Sequence, residues 1–144
     1  MVNIVAALMN QKSYDEPVKK VRLMQTHISW VFLTGEYAYK VKKPVNFGFC
    51  DFSTLAKRKF YCNRELEINR QFSDMYLGVV PINQFNSNIK IKGKGKTIEY
   101  AVKMKELPQE RIMSRLLEKN KISRQTIEKI ASIVSKFHLS LKQN

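Results

Sequence analysis

Strand-like segments flank one long helix-like segment in this sequence, and that order limits the possible folds more than any other feature. Residues 20–43 and 77–104 are rich in β-branched and aromatic side chains, whereas residues 51–73 have helical spacing. Residues 96–104 alternate apolar and other side chains with a period of two, which predicts a strand with one buried face. We therefore expect an α+β fold in which one long helix packs across an antiparallel sheet of about five strands.

The boundaries of these segments follow from turn residues and helix caps. Gly35-Glu36 suits a two-residue hairpin, Gly93-Lys94-Gly95 predicts a turn between two strands, and Asp51 or Ser53 is the expected N-cap of the long helix. The predicted strands are residues 21–26, 28–34, 37–42, 77–82, 88–92 and 96–104. The predicted helices are residues 2–10, about 51–73, a segment with Pro108 in its first turn, and a last helix with Ser123 as N-cap.

Length and composition exclude several classes of protein. The 144 residues suit one domain, or one with a small appendage, and 44% hydrophobic residues are enough to form a core. No apolar run approaches the ~20 residues that span a bilayer, and no basic leader opens the chain, so we expect no membrane partner. Cys50 and Cys62 make neither a C-x-x-C motif nor a disulfide scaffold, which favours the cytoplasm.

A formal net charge of +14 favours anionic partners: nucleic acid, phosphorylated small molecules or anionic surfaces. Acids and histidines are scarce, so we expect neither a metal site nor a pair of catalytic carboxylates. The aspartates and histidines are Asp15, Asp51, Asp74, His27 and His138. His138 lies on the apolar face of the last helix and is expected to be a packed, hydrogen-bonded core histidine.

The strand that contains Ala38 and Lys40 carries the most specific chemistry. Alternation places both residues on one face, so that a flat base could lie against the small side chain while the ammonium reaches phosphates. The nucleotide-binding lysine strand of protein kinases has this pattern, and its lysine pairs with a carboxylate on the following helix. Here that helix places Glu65 among apolar neighbours, so we expect a Lys40–Glu65 ion pair. The alternative is a surface lysine and a chance inward acid.

A second candidate site is a lysine-rich segment, the predicted hairpin that contains Gly93 and Gly95. It is the best candidate for a polyanion contact, although no aromatic residues interleave with its lysines. The alternative is a solvated edge hairpin whose lysines prevent further strand pairing. The lysines are Lys90, Lys92, Lys94 and Lys96.

Several segments together resemble the aminoglycoside-phosphotransferase-like family of bacterial and archaeal proteins, a branch often fused to a P-loop kinase-like domain. The resemblance covers nearly the whole chain. Its matching segments are residues 26–45, 49–55, 58–62, 77–82 and 99–104. It implies a protein-kinase-like amino-terminal lobe at residues 1–104, a hinge at 105–108, and the start of an incomplete helical carboxy-terminal lobe at 109–144.

The resemblance also implies roles for individual residues. Lys40 would contact the phosphates of ATP, and Glu65 would be its helix partner. The backbone of Lys105, Glu106 and Leu107 would pair with adenine. There is no G-x-G-x-x-G motif; Thr26, His27 and Ser29 occupy the turn where a phosphate loop would lie.

The catalytic-loop and metal-binding aspartates of such a kinase would lie beyond Phe137-His138, and none of the three aspartates present can replace them. We therefore expect no catalytic residue here, and Mg²⁺ only together with a carboxy-terminal lobe. The expected function is a nucleotide-binding lobe that is inactive alone and pairs with a separate lobe or self-associates through residues 108–141. The alternative is a non-catalytic basic module that binds nucleic acid or an acidic protein.

Overall fold

The computed structural model describes residues 3–140, in which helices and strands are mixed. The strands are β1 Arg22–Gln25, β2 Ser29–Leu33, β3 Tyr37–Lys42, β4 Tyr76–Phe85, β5 Asn88–Ile91 and β6 Lys96–Lys105. The α-helices are α1 Ile4–Leu8, α2 Leu55–Asn69, α3 Met113–Glu118 and α4 Arg124–Ser140, and 3₁₀ turns occupy Gln11–Ser13 and Gln109–Arg111. The expected α+β class is confirmed.

The strands form one antiparallel sheet of six strands, not about five, in the order β1-β2-β3-β6-β4-β5. Gly93-Lys94-Gly95 connects two strands as predicted, but β5 and β6 do not form a hairpin, because β4 lies between them. The tight hairpin instead joins β4 to β5 at Asn86, which has a positive φ of 53°. Residues 92–95 therefore carry the chain across the end of β4, and β5 is an edge strand.

Helix α2 begins later and ends earlier than its sequence pattern indicates. Thr54, not Asp51 or Ser53, is the N-cap, and its hydroxyl accepts a hydrogen bond from the Lys57 amide at 3.2 Å. Asp51 instead accepts from the Ser53 amide at 2.9 Å and closes the turn before the helix. The helix packs against β6 and β4, which places it over the middle of the sheet.

Both faces of the central strand β6 are covered, which corrects the expectation of one buried face. On one face Tyr39 of β3 packs against Tyr14, with ring centroids 5.2 Å apart, so the amino-terminal segment covers this side. On the other face lies α2. Ala101 and Val102 point to opposite faces and are both fully buried. The sequence pattern could not show that two separate segments cover the sheet.

The chain divides into two compact units, one ending at Glu106 and the other beginning at Leu107. In the second unit the Ser123 hydroxyl accepts from the Thr126 amide at 3.2 Å, which confirms the predicted N-cap of α4. Pro108 precedes a 3₁₀ turn and not the first turn of an α-helix, because Ile112 is extended with φ −63° and ψ 134°. His138 is exposed, so the prediction of a core histidine is wrong.

Within residues 3–140, no helix combines the length and the apolar character needed to cross a bilayer.

Candidate functional site

The carboxylate of Glu65 on α2 lies between two lysines of β3. Lys40 Nζ is 2.8 Å from Glu65 Oε1, and Lys42 Nζ is 2.7 Å from Glu65 Oε2. The two lysines share a face because they are two positions apart on a strand. The Lys40–Glu65 contact is present as the sequence predicts. The sequence interpretation missed Lys42, although its spacing from Lys40 was the signal that could have found it.

Solvent reaches the three members of this cluster to different degrees. The Lys40 side chain is 29% exposed, whereas the Lys42 side chain is 6% exposed and that of Glu65 is 13% exposed. Burial by itself would raise the pKa of the Glu65 carboxyl, but hydrogen bonds and positive charge from Lys40 and Lys42 outweigh it and lower that pKa. An ionised glutamate and two ammonium groups leave one net positive charge, and Lys40 is the member open to an anion.

The side chains around the cluster restrict its geometry and its chemistry. Lys42 Nζ lies 4.8 Å from the centre of the Phe52 ring, a cation–π contact that holds the buried ammonium in place. Cys62, one turn before Glu65, is fully buried, and burial raises the pKa of its thiol to about 11. The thiol is therefore protonated near neutral pH and is not a nucleophile.

A second buried ion pair attaches α2 to the sheet and was missed from the sequence. Arg58 Nε donates to both carboxylate oxygens of Glu99, at 2.9 and 2.8 Å. Arg58 Nη1 also donates to the Phe52 carbonyl at 2.8 Å. Because Arg58 and Glu99 are 41 positions apart, helical spacing gave no signal for the pair. Three ion pairs between α2 and the sheet, two to Glu65 and one from Arg58, thus fix the helix that presents Glu65.

Ala38 lies on the same face as Lys40, as predicted, but it is only 6% exposed. Its neighbours across the sheet are Leu33 of β2 and Met104 of β6. The open part of this face is therefore at Lys40 and not above Ala38.

The turn between β1 and β2 is closed by its own hydrogen bonds. The Thr26 amide donates to the Ser29 carbonyl at 2.9 Å, and the Ser29 amide donates to the Thr26 hydroxyl at 3.0 Å. His27 at the tip is exposed. Ser29 is fully buried, and its hydroxyl is the one buried side-chain polar atom without a hydrogen-bond partner in the part of the chain described. A phosphate contact by Ser29 does not fit this position, which leaves Thr26 and His27.

Two of the three residues expected to pair with adenine already use their backbone amides. The Lys105 amide donates to the Met75 carbonyl at 2.9 Å, and the Glu106 amide donates to the Glu36 carbonyl at 2.8 Å. The Glu106 carboxylate binds Arg22 at 2.6 Å, so this residue ties the end of β6 to β1. Leu107, the third, is 55% exposed and begins the second unit.

The lysine-rich segment presents its lysines to solvent, although Ile91 within it is buried. Its four lysines are exposed, and none of them forms an ion pair with another described residue. They are Lys90 on β5, Lys92 and Lys94 in the crossing segment, and Lys96 at the start of β6. Across residues 3–140, no three histidine, cysteine, aspartate or glutamate side chains come together as a metal site would require.

Comparison with known proteins gives relatives whose names state no function. The chain is 30% identical over 131 residues to uncharacterized proteins of Mycobacterium bovis and of two strains of Mycobacterium tuberculosis. The match covers 90% of this chain but 24% of each relative, so the chain spans about a quarter of the length of these curated relatives. No protein-family model matches the chain, and no solved structure matches it significantly.

Proposed function

We propose that the first unit is the nucleotide-binding lobe of an aminoglycoside-phosphotransferase-like kinase, with a protein-kinase-like fold. The observation that carries this proposal is the 2.8 Å ion pair between Lys40 on β3 and Glu65 on α2. In protein kinases a lysine of the third strand pairs with a glutamate of the following helix and contacts the phosphates of ATP. The order of three strands, one helix and three further strands supports the same assignment.

Because Lys42 also pairs with Glu65, Lys40 can leave the carboxylate to contact a ligand. When Lys40 turns toward a phosphate, Lys42 still neutralises Glu65, so the carboxylate is not left as an unpaired buried charge. Lys40 contacts the ligand because its side chain is the more exposed of the two. Lys42 positions Glu65 and does not itself reach the nucleotide.

The described residues supply binding and not the chemical step. Phosphoryl transfer in this fold needs an aspartate that orients the acceptor and another that binds Mg²⁺. Asp51 is held by Lys57 and Ser53, which lower its pKa to about 2, and it closes the turn before α2. The Asp74 side chain is 89% exposed and lies within 3.8 Å of Lys105. Catalysis therefore depends on groups supplied from outside residues 3–140.

Titration of a non-hydrolysable ATP analogue against the protein and its Lys40→Ala variant tests the proposal. We expect the variant to bind at least about tenfold more weakly, because a charge-assisted contact to phosphate contributes about 1.5–3 kcal/mol. Lys20→Ala is the matched control, because Lys20 is exposed and lies outside the cluster, and its substitution removes the same charge.

Equal affinities of Lys40→Ala and Lys20→Ala for the analogue would contradict the proposal. In that case, steeply salt-dependent binding of RNA or DNA that does not depend on Lys40 would favour a basic nucleic-acid-binding module instead.

A further inference from the structure

A cavity of about 640 Å³ lies between the amino-terminal segment and the β4–β5 hairpin, on the sheet face opposite Lys40. Tyr14 lines this cavity and packs on Tyr39, whose side chain points away from Lys40 because adjacent strand residues alternate. None of Lys40, Lys42 and Glu65 is among the lining residues. The cavity is therefore separate from the proposed ATP site, and a ligand bound in it would not depend on ATP binding at Lys40.

The lining of the cavity is positively charged. Lys12, Lys90 and Lys94 contribute three positive charges, and no aspartate or glutamate lines the cavity. None of these lysines has an ion-pair partner within residues 3–140. Like charges around one concavity repel each other and concentrate anions there. The positive potential of this cavity therefore favours a ligand with several negative charges.

Hydrogen bonds hold the wall that carries Lys94 in place. The Asn83 side-chain amide donates to the Gly93 carbonyl at 2.5 Å and accepts from the Thr97 hydroxyl at 2.8 Å. The first contact ties the segment between β5 and β6 to β4, and the second ties the start of β6 to β4. Because these bonds join groups of the protein itself, they hold the backbone on either side of Lys94 at the cavity.

The opposite wall is held in the same way. The Tyr14 hydroxyl donates to the Leu8 carbonyl at 2.6 Å, and the Ser13 hydroxyl donates to the Ala7 carbonyl at 2.8 Å. These bonds fix the turn that contains Lys12. Hydrogen bonds therefore fix the backbone on both sides of the cavity, in the amino-terminal turn and in the segment between β5 and β6.

We propose that this cavity binds a small phosphorylated molecule with at least two negative charges. The lysines contact phosphate oxygens, and the side-chain amides of Asn10 and Asn88 supply further donors. Phe85, 56% exposed at the lining, offers an apolar surface to the organic part of the ligand. The volume is within the range of about 300–1,000 Å³ typical of small-molecule sites. A nucleic-acid strand would instead use an extended stripe that includes Lys92 and Lys96, which lie outside the cavity.

Isothermal titration with pyrophosphate and with AMP tests the proposal. The key variant is Lys90→Ala/Lys94→Ala, and Lys92→Ala/Lys96→Ala is the control, because it removes the same charge from the same segment outside the cavity. The parent protein and every variant also carry Lys40→Ala, so that phosphate binding at the cluster of Lys40, Lys42 and Glu65 is weakened in all of them. We expect the first pair of substitutions to weaken binding of at least one probe by tenfold or more, and the control pair to change it less than threefold.

A second variant, Ser87→Asp, places a carboxylate in the lining without removing a lysine, and we expect a similar loss. Circular dichroism of each variant confirms that it is folded. Equal losses in the two lysine pairs, or no binding of either probe by the folded protein, would overturn the proposal. Tighter binding of a single-stranded RNA that depends on all four lysines alike would also overturn it, in favour of a diffuse nucleic-acid surface.

Discussion

At the scale of single residues, Glu65 connects the packing of α2 with the chemistry of the candidate site. Its two oxygens each face a different lysine, so one carboxylate neutralises a buried ammonium and orients an accessible one. The Arg58–Glu99 pair also attaches α2 to the sheet but has no accessible member, since the two side chains are 10% and 8% exposed. Exposure therefore distinguishes the ion pair suited to a ligand from the purely structural one.

The lowered pKa of Glu65 predicts that its contribution to stability depends on pH. A carboxyl whose pKa falls on folding stabilises the protein above its unfolded pKa of about 4.3 and loses that contribution as pH falls through its folded pKa. We expect Glu65→Gln to lower the free energy of unfolding by about 3 kcal/mol at pH 7. The difference from the wild type should shrink below pH 4.

Urea unfolding at pH 7 and at pH 3 measures this effect. Glu67→Gln is the control, because Glu67 lies on the same helix with 62% of its side chain exposed and should have little effect at either pH. If Glu65→Gln lowers the free energy of unfolding by the same amount at both pH values, the negative charge of Glu65 does not contribute to stability.

At the scale of elements, the segment between β5 and β6 decides the topology at the edge of the sheet. It crosses the end of β4, and Gly95 makes the closest approach there with a φ of +100°. A Cβ atom at Gly95 would lie 2.1 Å from the Gln84 carbonyl oxygen, which is backbone and cannot move aside. The crossing thus depends on glycine for two reasons, its backbone conformation and the absence of a side chain.

Comparison of Gly95→Ala with Gly35→Ala separates these two reasons. Gly35 has a similar φ of +98°, but nothing lies within 4 Å of its added Cβ, so we expect only the strain of a left-handed alanine, about 1–2 kcal/mol. In Gly95→Ala the new Cβ atom also clashes with the Gln84 carbonyl oxygen. We therefore expect its free energy of unfolding to fall by about 2 kcal/mol more than that of Gly35→Ala, a loss typical of overpacking. Thermal and urea unfolding measure both losses. Equal losses would show that β4 and the crossing segment are not in close contact.

At the scale of the whole molecule, every fully or nearly buried hydrophobic residue of the described chain lies in the first unit. The buried set extends from Leu8 to Val102, whereas no residue of the described part of the second unit is buried. Ile127 and Ile130 of α4 are 46% and 41% exposed, so this helix keeps an apolar stripe that its own unit does not cover. The core of the first unit is therefore made of its own residues.

We expect a chain that ends after Leu107 to keep the fold of the first unit. Its core and its two buried ion pairs are all contained in that range, and domains of about this size fold alone. The fluorescence of Trp30, the one tryptophan, reports on β2 in the sheet. We expect the shortened chain to unfold in one cooperative urea transition, with a midpoint within about 0.5 M of the midpoint of the full chain. A chain without a cooperative transition would show that residues 108–144 are needed for folding.

Local patterns in the sequence determined the type and approximate position of the strands and of α2, because strand alternation and helical spacing depend on near neighbours. They also placed Lys40 and Glu65 on surfaces that face each other. Tertiary structure alone decided the rest. Arg58 and Glu99 form a buried ion pair because the fold brings these distant residues together, and β4 lies between β5 and β6 because the chain crosses at Gly95. Contacts between residues far apart in sequence leave no periodic signal, so only the assembled sheet, with segments on both faces, determines them.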